Sequence, residues 1–202
     1  PVGLLQVGDD ADFIVVDDLQ SFAIRQTCIK GNWVFQEGKV HIPFVVEKPI
    51  NRFSCGKIQV DDLAIHLETI PEKIRVIEAI DGQLITKTGW YKPTLVANQL
   101  LSNVEQDILK IVVVNRYQKA PIAKAFIKNF KLTRGAIAST IAHDSHNIIC
   151  VGSTDNEMCT AMNALIDCSG GIVVADGHET QVLPLQVGGL MSNEQPEKVT
   201  DA

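Results

Sequence analysis

The apolar positions along the chain come in short runs broken by turn residues. "ADFIVVDD" sets a β-branched run between aspartates and predicts a buried strand from Phe13 to Val16. In "FAIRQTCIKGNWVFQEGKV" the Gly31-Asn32 dipeptide turns one strand-like run into the next, and Glu37-Gly38 closes the second. These strands are too few to enclose a core and call for a partner sheet. Further on, "KIQVDDLAIHLE" and "KIRVIEAI" read as strands, and Asp81-Gly82 folds the second into a hairpin with "QLITKTGWY". Lys92 to Asp107 is weakly patterned and reads as loop with at most a helical turn. "ILKIVVVNRY" is the most apolar run and predicts a central strand from Ile108 to Val114. In "PIAKAFIKNFKL", Ile122, Phe126 and Phe130 fall at helical spacing while Phe126, Lys128 and Phe130 alternate, which leaves helix and strand both open. "HNIICVG" is a strand ending at Gly152.

One helix is well marked. Thr154 and Glu157 stand at capping-box spacing, Met158, Ala161, Met162, Leu165 and Ile166 share one face, and Gly170-Gly171 stops the helix. "GIVVADG" and "TQVLPLQV" are two more strands joined around Asp176-Gly177, and the polar tail after Ser192 should fray. The fold class is therefore α+β: a small β unit over residues 1–48, then a mixed-sheet α+β domain over 49–202 with few helices.

Composition narrows the classes of function. The 202 residues are 46% hydrophobic and 21% charged, enough to bury a core. A net charge of −6, with no basic stripe, argues against nucleic acid or an anionic membrane as partner. No apolar run approaches the roughly 18–20 residues that span a bilayer, and no secretory signal pattern is present. Five cysteines, an odd number without C-x-x-C spacing, fit neither a disulfide framework nor a zinc ribbon and point to a reducing cytoplasm. The opening "PVGLLQVGDDADF", without an initiator Met, is expected to be the interior of a longer protein.

The candidate chemistry sits in "AHDSHNIICVG". His143 and His146, with Asp144 between them, carry donors for a metal or for proton transfer. An Asp144-Ser145 turn with imidazoles bonded to nearby backbone accounts for the same residues, and a catalytic zinc normally takes three protein ligands besides water. Asn115-Arg116-Tyr117 ends the central strand, where side chains reach a sheet edge, though an arginine there also suits a surface ion pair. His41, His66 and His178 are isolated, and the neighbours Asp9-Asp10 and Asp61-Asp62 point opposite ways on a strand and cannot share a proton. Met158 and Met162 are core positions. Gly170-Gly171 and Gly188-Gly189 lack the strand–loop–helix setting of a phosphate cradle.

"GLLQVGDDADFIVVDD" resembles the segment that follows the catalytic (β/α)8 barrel in amidohydrolase-superfamily enzymes, through Gly3, Leu5, Gly8, Ala11, Asp12, Phe13, Ile14, Val15, Val16 and Asp17. "TCIKGNWVFQEGKV" looks like the next strands of the β-sandwich beside that barrel. "DGQLITKTGW", "DILKIVVVNRY", "RGAIASTIAHDSHNIICVG" and "LPLQVGGLMS" resemble the C-terminal domain of bacterial-type adenine deaminases, with Gln186 standing where that family is expected to read Pro. The resemblance implies hydrolysis of adenine to hypoxanthine and ammonia. A binuclear manganese or iron centre in the barrel would activate the water that attacks C6. The ligands of that centre would precede this chain, which holds no H-x-H, so no metal is expected on these residues. It further implies accessory roles for His143, Asp144 and His146, substrate contacts from Ser145, Asn147 and Arg116, and a homo-oligomer in the cytoplasm. A non-catalytic assembly module, using apolar segments Val2 to Val7 and Val182 to Met191, is the alternative reading, and a small independent metallohydrolase on His143, Asp144 and His146 is a third.

Overall fold

The structure is a computed structural model that describes residues 3–45 and 48–201. The chain divides into two compact units, Pro1–Val46 and Glu47–Ala202.

The first unit is an antiparallel four-stranded meander of β1 (Phe13–Val16), β2 (Ile24–Ile29), β3 (Asn32–Gln36) and β4 (Lys39–Val40). The β2–β3 turn is made by Lys30 (φ 49°) and Gly31 (φ 76°), so Asn32 opens β3 instead of sharing the turn. Two consecutive left-handed residues match the right-handed twist of the flanking strands. Phe13 meets Trp33 edge to face with centroids 5.5 Å apart, and Cys28, the register partner of both on the strand between them, is buried.

The second unit is built on an eight-stranded mixed sheet. Its strands are β5 (Ile74–Ala79), β6 (Thr86–Tyr91), β9 (Ile108–Val114), β10 (Ala123–Lys128), β11 (Ala136–Ser139), β12 (Ile148–Gly152), β13 (Gly171–Ala175) and β14 (Thr180–Pro184), in the order β14-β13-β11-β12-β9-β10-β5-β6. β10 runs parallel to β5, and the other neighbours are antiparallel. The segment with two open periodicities is thus a strand, because an alternating face suffices for a position between β9 and β5. β9 lies inside the sheet, as its run of six apolar residues interrupted only by Lys110 requires.

Two further expectations fail. "KIQVDDLAIHLE" forms a 3₁₀ turn at Val60–Leu63 instead of a strand: the Asp62 carboxylate accepts the Gln59 amide at 2.8 Å, offering the backbone a local partner, and Leu63 is driven into the core. Lys92 to Asp107 is not mainly loop but holds a hairpin, β7 (Thr94–Val96) and β8 (Gln99–Leu101), turned by Ala97 (φ 47°) and Asn98 (φ 64°). Strands of three residues and a turn without glycine leave little trace in a sequence. The tail also carries a short helix, α2 (Pro196–Thr200).

Helix α1 (Asp155–Asp167) lies on β11, β12 and β13, burying Met158, Ala161, Met162 and Leu165 completely against Val112, Cys150, Ala138 and Val173, with half-buried Ile166 against the same cluster. Thr154 accepts the Glu157 amide at 3.2 Å. The Glu157 carboxylate turns to the Gly135 amide (3.0 Å) and the Thr154 hydroxyl (2.8 Å), pinning the entry to β11 rather than closing a reciprocal box. Lys110 of β9, 1% exposed, places Nζ 2.5 Å from Asp155 in the first turn of α1 and 3.0 Å from the Leu63 carbonyl. The opposite face of the sheet is also apolar: Leu109, Ile111, Ile127 and Val151 are buried there, while Ile137 and Val174 stay 38% and 44% exposed.

Candidate functional site

The strand order decides what meets at one end of the sheet. Val114 pairs with Ile148, Ser139 with Ile172, and Gly171 with Pro184. The exit of β9, the loop from β11 to β12, the entry to β13 and the exit of β14 are therefore neighbours. The loop 140–147 is the one that holds the histidines.

Its first residue anchors it. Thr140, fully buried, donates to the Gly189 carbonyl (2.6 Å) and accepts the Gly171 amide (2.9 Å). The His146 amide closes the loop on the Ala142 carbonyl at 2.7 Å. Asp144 (φ 66°) and His146 (φ 47°) both adopt left-handed backbone, which a side chain with a Cβ occupies only when its surroundings hold it there.

Arg116 does the holding. It is 3% exposed, and its guanidinium donates to the carbonyls of His146 (2.6 Å), Gly188 (2.6 Å) and Arg52 (3.2 Å), to Asn51 Oδ1 (2.9 Å) and to the Tyr117 hydroxyl (3.0 Å). The Tyr117 hydroxyl in turn donates to the Ser145 carbonyl at 3.2 Å. Arg116 also lies 4.5 Å from the ring centre of Tyr117 and 5.6 Å from that of Phe53. All five acceptors of the guanidinium, three main-chain carbonyls and two side-chain oxygens, are neutral, so this buried cation is compensated by dipoles and rings alone.

On that base the sequence-proposed residues separate. His143 and Asp144 stand out at the tip, with side chains 91% and 90% exposed and Nδ1 3.2 Å from Oδ1, and Ser145 is exposed beside them. Half-buried His146 turns inward with Nδ1 enclosed and without a hydrogen-bond partner. Asn147, also half-buried, accepts the Arg116 backbone amide at the margin of hydrogen-bond distance, 3.4 Å. The loop thus presents a carboxylate, a hydroxyl and an imidazole on a backbone clamped from below, a set able to orient a ring bearing both donors and acceptors. Among the described residues no group of three or more His, Cys, Asp or Glu is placed to hold a metal ion. Sequence reading missed Thr140 and Asn51, named Tyr117 only as part of the strand end at Asn115-Arg116-Tyr117, and weighed Gly189 only as a phosphate cradle. Tyr117 adjoins Arg116 and was within reach, whereas Asn51 and Gly189 are brought in by the fold from far along the chain.

These features define an α+β domain whose mixed sheet, layered by one helix, gathers a hydrogen-bonded polar loop at one end. A family model described as the adenine deaminase C-terminal domain matches residues 83–202. Adenine deaminase from Borreliella burgdorferi is 44% identical over 200 residues, which is 98% of this chain and 36% of that protein. The enzyme of the same name from Methanosarcina acetivorans is 47% identical over 199 residues (95% and 36%), and that from Parabacteroides distasonis 44% over 202 (99% and 36%). The chain belongs to the adenine deaminase C-terminal domain family, and it spans about a third of the length of these relatives.

Proposed function

We propose that the chain is the C-terminal third of an adenine deaminase, whose reaction adds water at C6 of adenine and releases ammonia to leave hypoxanthine. The metal, manganese or iron, and its ligands belong to the catalytic barrel in the remainder of the protein, and no step runs through a metal on the residues of this loop. When bound there, the metal supplies activated water. The work of this chain is to close the substrate pocket: Asp144 and His143, projecting from the clamped loop, orient the purine through its ring and exocyclic nitrogens, and Ser145, His146 and Asn147 shape the wall behind them. Arg116 serves this wall from below. Pro1–Val46 continues the β-sandwich beside the barrel, and the intact enzyme acts in cytoplasmic purine turnover.

The single observation that carries this reading is the pairing of two almost fully exposed ionisable side chains with a loop backbone fixed in left-handed geometry. Strain of that kind collects where function maintains it. Asp144→Asn in the full-length protein, which removes the charge but keeps a residue at home in left-handed backbone, should lower kcat/KM for adenine at least tenfold while shifting stability by less than about 0.5 kcal/mol. Equal loss of both would make the loop structural. A role in assembly is favoured by the exposure of Leu4, Leu5 and Val7, with Val2 outside the described residues, and by the open apolar face at Ile137 and Val174. The second expected contact segment is largely committed to the fold, with Leu185 buried and Met191 exposed. Ile137→Glu with a mass measurement of the full-length protein in solution tests that role.

A further inference from the structure

We propose that Arg116 and Tyr117 are positioning residues for the loop, setting where Asp144 and His146 stand without touching the ligand themselves. The inference rests on the pocket-closing role given to that loop. Arg116 is too deeply buried to meet a ligand, and its donors are already committed to acceptors within the chain. Such a cation, with no carboxylate among its acceptors, is an expensive way to fill a core site that a methionine or leucine could fill. What it does that an apolar side chain cannot is join three distant pieces of chain. Its bonds reach residues 51–52, His146 and Gly188, and through Tyr117 they reach Ser145.

Of the two loop carbonyls held in this way, that of Ser145 lies between the two left-handed residues, Asp144 and His146, and that of His146 belongs to the second of them. Release of either bond frees the backbone to leave an unfavourable region, and the Asp144 carboxylate and the His146 ring move with it. The site also depends on the absence of a side chain at Gly189. A Cβ there would lie 3.0 Å from Arg116 Nη1 and 3.2 Å from Cζ, and the residue has φ +72°. The guanidinium is thus fitted from above by glycine and from the sides by Phe53 and Tyr117.

A positioning residue and a plain structural pin differ in a double-mutant cycle. In the full-length enzyme, kcat and KM for adenine and the thermal midpoint are measured for Arg116→Lys, Tyr117→Phe, Asp144→Ala and the two doubles with Asp144→Ala. Lysine keeps the charge and loses the fork that reaches several acceptors at once. The expected result is a loss of at least tenfold for Arg116→Lys and threefold or more for Tyr117→Phe. Both should fall in the parameter that Asp144→Ala lowers, and each double should be no more than about threefold worse than Asp144→Ala alone. Tyr117→Phe, which loses one half-buried hydroxyl, carries the cycle if Arg116→Lys does not fold. Multiplicative losses, or full activity in both single variants while Asp144→Ala is impaired, would overturn the positioning role. Unimpaired activity in Asp144→Ala would instead overturn the reading of the loop on which it rests.

Discussion

Lys110→Met offers a sharp test of how the larger unit is held together. Lys110 is 1% exposed and Asp155 11%, with Nζ and Oδ1 2.5 Å apart. Removing the lysine leaves a nearly buried carboxylate at the start of α1, and breaking such a pair from one side typically costs about 3–5 kcal/mol. Two features retain part of that. Gln99 Nε2 still donates to Asp155 Oδ2 at 3.1 Å, and the helix N-terminus favours a carboxylate by about 0.3–1 kcal/mol. Methionine fills the aliphatic volume, although the Leu63 carbonyl loses its donor. The expected loss is therefore at the lower end, about 3 kcal/mol, or roughly 6–12 °C in the unfolding transition of a unit this size. Urea unfolding monitored by far-UV circular dichroism measures it. Lys110→Met/Asp155→Asn should recover more than half of the loss, because the stranded charge is then gone. A single-variant loss below about 1 kcal/mol, or a double variant no better than the single, would refute the claim that the ion pair is buried and coupled.

Other consequences concern backbone, thiols and acid. Gly171 has φ +151°, and a Cβ there would meet the Leu183 carbonyl oxygen at 2.1 Å. Gly171→Ala should destabilise by more than about 2 kcal/mol or prevent folding, and a near-neutral result in the same urea assay would contradict the β13–β14 register. Burial pushes the Cys150 thiol far above its ordinary range, and Cys28 is buried as well. Neither should react with a thiol reagent at pH 8 until the protein unfolds, when all five cysteines become labelled; mass spectrometry finding Cys150 labelled in the native state would count against this core. The Asp176 carboxyl is held below its ordinary 3.8 by the Glu179 and His178 amides, with Arg134 adding to them. A depressed carboxylate contributes stability above its unfolded value, lost as pH falls through the folded one. Asp176→Asn should thus flatten the acid limb of the stability curve below about pH 4, and an unchanged limb would discount the turn.

The strands and the helix were legible where one signal was unopposed. Phe13–Val16 and Ile108–Val114 begin and end where their apolar runs do, and the α1 face reads directly as Met158, Ala161, Met162 and Leu165. Legibility failed where local side-chain chemistry competed with pattern. Asp62 diverts an apparently alternating segment into a 3₁₀ turn, and Ala97-Asn98 makes a hairpin turn with no glycine to announce it. The placing of β11 between β12 and β13 depends on long-range pairing that no local pattern encodes. The candidate loop was visible as a cluster of ionisable residues. Its support was not, because Arg116 gathers Asn51, Gly188 and His146 through carbonyls and an amide oxygen that look alike in any sequence.

In the proposed function this chain completes a deaminase pocket and leaves the reaction itself to the rest of the protein. Ammonia release from adenine, measured together with metal content for the full-length protein and for the 202-residue chain alone, decides between this and an independent centre. Deamination and bound metal are expected in the full-length protein only, with deamination there impaired by Asp144→Ala. Turnover by the chain alone, or a stoichiometric metal retained by it, would overturn the proposal and make His143, Asp144 and His146 a centre of their own.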